Sequence, residues 1–114
     1  MAAIDGQFDE ELALTADKKN VQATGSLRGF DDFDLTLHVV VADVNGVVAE
    51  YEKKNPPLVP DATEPGKSAW SLTVPVKDSR TLEKGTAIGY ATALGTGPEG
   101  IKSWQWHSVV ELTV

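Results

Sequence analysis

Apolar and polar residues alternate with a period of two through most of this chain, and a 3.6-residue period is sustained nowhere. Turn-forming residues interrupt the alternation about every 8 to 15 positions, a spacing that predicts an all-β fold. Seven strands are expected. In residues 8–16, Phe8, Leu12 and Leu14 share a face. In residues 20–28, Val21, Ala23 and Leu27 point inward, with Gln22, Thr24, Ser26 and Arg28 outward. Residues 34–42 place Leu35, Leu37, Val39 and Val41 inward; the reverse side, Thr36, His38, Val40 and Ala42, is apolar for a solvent face, as in a central strand. Val44-Asn45-Gly46-Val47 predicts a two-residue type I′ turn, because Asn and Gly tolerate positive φ, and a strand over 47–51 follows.

Residues 53–67 carry four prolines and predict a long loop crossing between sheets. The alternation resumes over 68–76 with Trp70, Leu72, Val74 and Val76 inward, and Pro75 marks an edge strand or a strand end. In residues 86–94 the bulky set Ile88, Tyr90 and Leu94 is expected inside, which leaves Ala87, Gly89, Ala91 and Ala93 outside. The last strand, 101–114, holds Trp104, Trp106, Val110, Leu112 and Val114 in one phase. Seven short strands, a tight hairpin and one long crossing loop describe a seven-stranded, two-sheet Greek-key sandwich. The sandwich occupies residues 8–114 as a single domain, with residues 1–7 as an N-terminal extension. Neither side of the 53–67 loop has enough chain for a core of its own.

Leu82-Glu83-Lys84-Gly85-Thr86-Ala87-Ile88 resembles the corner leading into the sixth strand of fibronectin type III modules. The resemblance implies an immunoglobulin-like or fibronectin-like module, a class that spaces, decorates and binds and is not enzymatic as a rule. Composition agrees with the absence of catalysis. The two histidines, His38 and His107, are too few for a three-histidine zinc centre, and a chain without cysteine has neither disulfides nor thiolate chemistry. No nucleophile elbow is present. No metal and no cofactor are expected. The acidic run Asp31-Asp32-Phe33-Asp34 lacks the ligand spacing of a calcium loop and reads as a solvated turn.

The net charge of −7 opposes binding to a phosphate backbone, so nucleic acid is excluded as a partner. The longest apolar run, Val39-Val40-Val41-Ala42, is far too short for membrane insertion. What remains is contact with protein, through self-association or a separate partner. The expected surface lies on the reverse face of the strands over 34–42, 86–94 and 101–114: His38, Val40, Gly89, Ala91, Ala93, Gln105, His107 and Val109. That surface is poor in charge, as the centre of an interface is. Trp104 and Trp106 are assigned to the core, and Trp104, nearest the loop end, is the one residue suited to stack on a sugar. A lone acidic module without a recognisable export signal is similar to small decoration proteins of phage particles, which implies a viral shell or tail as partner. The alternatives are an adhesion or spacer domain of a secreted bacterial surface protein, and a carbohydrate-binding module. A virion or an extracellular surface is the expected location.

Overall fold

The computed structural model describes residues 4–31 and 33–114. Asp32, part of the acidic run, and Met1 to Ala3 lie outside the described residues. The chain is all-β. Among the described residues nine strands form instead of seven: β1 (Asp5–Phe8), β2 (Glu11–Leu14), β3 (Asn20–Arg28), β4 (Asp34–Asp43), β5 (Val48–Lys54), β6 (Leu58–Pro60), β7 (Lys67–Pro75), β8 (Gly85–Gly97) and β9 (Gly100–Thr113). They hydrogen-bond into one mixed sheet in the order β5-β4-β8-β9-β2-β3-β7-β6, with β1 also paired to β3. The sheet curls until its margins meet, since Ala49 on β5 bridges Val76 just beyond β7.

Both extra strands have local causes. Residues 5–7, expected as an extension, pair with β3 as part of β1, Asp5 opposite Arg28 and Phe8 opposite Gly25. Ala13 then stands opposite Gln22, so two extra residues bulge out around Asp9 and Glu10 and bend the chain. The bend divides the strand expected over 8–16, and β2 swings across to pair in parallel with β9, Leu12 beside Leu112. Within the expected 53–67 loop, β5 continues to Lys54, and Leu58 to Pro60 add a short margin strand to β7. A proline is tolerated there because only one side of β6 is paired.

The β4–β5 connection also departs from expectation. Gly46 N–H donates to the Asp43 carbonyl at 3.1 Å, Gly46 sits at φ 77°, and Asn45 is not among the residues with positive φ. The loop is therefore a type I turn closed by a left-handed glycine rather than a type I′ turn. Asp43, the one buried charged residue among those described, fixes it. Its Oδ1 accepts the N–H groups of Asn45 and Val47, each at 2.9 Å, and its Oδ2 accepts Glu83 N–H at 3.0 Å. Three exposed aspartates brace other turns: Lys19 N–H and the Thr15 hydroxyl hold Asp17 below the ordinary carboxylate range. Thr63 N–H and hydroxyl do the same for Asp61, and Arg80 does it for Asp78.

The interior is filled from a few strands by large rings. Phe8, Trp70 and Trp106 form one cluster with centroids 5.5, 6.3 and 6.4 Å apart. Glycines make room for it. A Cβ on Gly6 would lie 2.4 Å from the Trp106 ring, and one on Gly89 would lie 2.9 Å from Phe8. Farther along β8, Gly95 faces Phe30 in the same way. Leu37, Val39 and Val41 of β4, Val21 and Ala23 of β3, and Leu112 of β9 are among the buried residues packed with them.

Candidate functional site

Rings arriving from β1, β7 and β9 occupy the volume beneath β8, so its inward positions must be small. Ala87, Gly89, Ala91 and Ala93 are accordingly buried, Ala91 and Ala93 at 0% exposure, while Ile88, Tyr90 and Leu94 point outward. This reverses the phase expected for 86–94. Gly89, Ala91 and Ala93 are core residues and cannot present a surface. His38 and Val40 face outward half-buried, and Gln105, His107 and Val109 face outward exposed, on the expected side. The outer face thus keeps its β4 and β9 contributions and exchanges its β8 contribution for three large side chains.

Cross-strand register arranges this face in rows. From β5 through β4 and β8 to β9 the first row reads Val48, Ala42, Ile88, Val109, and the second Glu50, Val40, Tyr90, His107. The third reads Glu52, His38, Thr92, Gln105, and the fourth Lys54, Thr36, Leu94, Ser103. Such opposed pairs are the units through which a sheet face is stabilised. Tyr90 lies parallel to His107, rings 9° apart in plane with centroids 6.1 Å apart. His38 Nε2 meets Glu50 Oε2 at 2.6 Å across the diagonal. Large apolar groups remain open to solvent: Ile88 at 47% exposure, Tyr90 at 44% and Val109 at 69%. The charged groups of the four rows stand only on β5. Elongated apolar exposure of this kind is uncommon on a protein that works alone.

The tryptophans separate. Trp70 and Trp106 are buried, whereas Trp104, in the same phase as Trp106, is 41% exposed although Ala93 opposite it on β8 is fully buried. Trp104 and Trp106 therefore do not make a paired stacking platform. Lys102 packs over Phe33, its Nζ 4.3 Å from the ring centroid, and reaches the Gly29 carbonyl. Among the described residues no group of three or more His, Asp or Glu side chains is placed to hold a metal ion. The signal that could have located the exposed β8 residues is the pair Gly89 and Gly95, since glycine within a strand marks a close approach from the core side.

No protein-family pattern matches the sequence, and no curated protein matches it. Among solved structures, the chain is similar to AggA, the major subunit of aggregative adherence fimbriae type I from Escherichia coli, at 12% identity and a TM-score of 0.40. That match covers 100% of this chain and 95% of the other. It is also similar to the CooA pilin subunit of enterotoxigenic Escherichia coli, at 11% identity and a TM-score of 0.38, over 91% of this chain and 88% of the other.

Proposed function

We propose that this chain is a non-catalytic β-sandwich module that acts by protein contact across the outer face of β5, β4, β8 and β9. The observation that carries the reading is the run Ile88, Tyr90 and Val109, large and open to solvent within four rows whose charges stand only on β5. We read the curled sheet as two layers, β5-β4-β8-β9 over β1/β2-β3-β7-β6, in the immunoglobulin-like manner; the parallel β2–β9 pair joins them. Of the settings open at the sequence level, we take a structural or adhesive element of an extracellular surface over a viral shell.

The test is site-specific photocrosslinking in cells that express the protein. A photoreactive side chain at Tyr90 is expected to give discrete protein adducts, and the same group at Thr73, outward on β7, is expected to give none. Equal labelling from both positions, or none from Tyr90, would refute the reading.

A further inference from the structure

We infer that the partner of this face is a second copy of the chain, packed face to face about a two-fold axis that runs along the strands between β4 and β8. The inference rests on the preceding reading of the face as a contact surface, and it follows from register. An axis parallel to the strands keeps each residue at its height and exchanges left for right, so β5 lies over β9 of the second copy and β4 over its β8. Val48 then meets the second copy's Val109, Ala42 meets its Ile88, and Val40 meets its Tyr90. Glu50 lands on the second copy's His107, and Glu52 on its Gln105. Glu50 already holds His38 through Oε2, which leaves Oε1 for an imidazole from across the interface.

Charge selects this axis over its rival. A two-fold axis across the strands, centred on the four rows, would lay β5 on β5 and bring Glu50 against the second copy's Glu52 and Glu52 against its Glu50, and like charges opposed in an interface are strongly unfavourable. The chain's overall excess of acids does not oppose the pairing, because residues 1–34 carry eight of the seventeen and the four rows carry two, Glu50 and Glu52. Four strands by the seven residues of β5 give a footprint of roughly 19 by 23 Å at ordinary sheet spacings. That is about half the 800 Å² or so that a stable complex buries on each partner, which places the pair among weak, reversible contacts.

Sedimentation velocity from about 10 µM to about 1 mM reads a contact of that strength. The wild type should shift from monomer toward dimer within that range. Tyr90→Glu should stay monomeric throughout, and His107→Glu and Glu50→Lys alone should each weaken pairing at least about tenfold. An equimolar mixture of His107→Glu and Glu50→Lys should associate again, because each mixed pair keeps one Glu50–His107 contact and sets the two introduced side chains, of opposite charge, against each other at the other. Denaturation curves on each variant show that the fold is retained. A wild type that stays monomeric to about 1 mM overturns the second copy as partner, and the Tyr90 crosslinks then judge the face independently. Association that survives Tyr90→Glu overturns both readings. A mixture that fails to associate overturns the assigned axis.

Discussion

Replacing Ala91 by Glu should nearly unfold the protein, whereas the same change at its neighbour Tyr90 should leave the fold standing. Ala91 is fully buried, with Val39 of β4 and Trp106 of β9 as its cross-strand neighbours. An added methylene and a carboxyl overpack this site at a cost of about 1 to 3 kcal/mol. No buried cation waits there; Asp43 is the one charged residue buried among those described, so the new carboxyl must protonate on folding. Carrying that proton at pH 7 costs about 1.36 kcal/mol for each of the roughly 2.7 pH units above an ordinary glutamate pKa near 4.3, about 3.7 kcal/mol in all. The combined loss of about 5 to 7 kcal/mol rivals the total stability expected of a domain this size, about 6 to 17 kcal/mol. The sign with pH is set by a folded-state pKa raised above the unfolded one. The electrostatic part is absent below about pH 4.3, grows as pH rises, and at pH 5 amounts to about 1 kcal/mol. Tyr90→Glu forfeits stacking on His107 and part of an exposed ring, about 1 kcal/mol or less. Urea denaturation of both variants at pH 7 and pH 5 checks the pair. Ala91→Glu within about 1 kcal/mol of wild type, with Tyr90→Glu losing several, would show that β8 has the opposite phase.

Trp106→Ala should cost about 3 to 5 kcal/mol in chemical denaturation, the usual range for emptying a buried aromatic site. Asp43→Asn keeps an acceptor for the Asn45 and Val47 N–H groups but turns a donor toward Glu83 N–H; a loss of about 1 to 3 kcal/mol is expected in the same assay, and a neutral result would remove the carboxylate as the pin of this corner. A Cβ on Gly25 would lie 1.9 Å from the Gln7 carbonyl oxygen, so Gly25→Ala should release β1 from β3, read as faster amide exchange at β1 than at β7. Asp17, Asp61 and Asp78 titrate below the ordinary value in the folded state. Their stabilisation is therefore present above about pH 4 and lost as pH falls through their lowered pKa values. Asp61→Asn should lower Tm near neutrality and flatten its fall with pH in that acid range, so that variant and wild type converge at low pH.

Strands whose inward residues are conventional in size could be read from the chain alone. β3 and β4 alternate as their sequences indicate, because Val, Leu and Ala at their inward positions fit the ordinary space between two layers. β8 could not be read that way. Its sequence offers bulky residues in one phase and Ala and Gly in the other, and burial normally favours the bulky phase. The choice was made elsewhere, by Phe8, Trp70, Trp106 and Phe30, whose rings already fill the volume beneath it. Close packing admits one large set at a given height, so the set on β8 was pushed out. Turn identity was hidden for a similar reason, since Asn45-Gly46 suits two turn types and the Asp43 carboxylate decides between them. The outer face inherits both lessons. Its β4 and β9 residues were legible because their inward partners were, while Ile88, Tyr90 and Leu94 became surface only because other rings had taken the interior. An exposed apolar residue on such a strand marks what the core could not accommodate, and selection for binding needs only to keep it from turning polar. That makes the outward residues of β8 the positions where the needs of the core and of the contact surface meet.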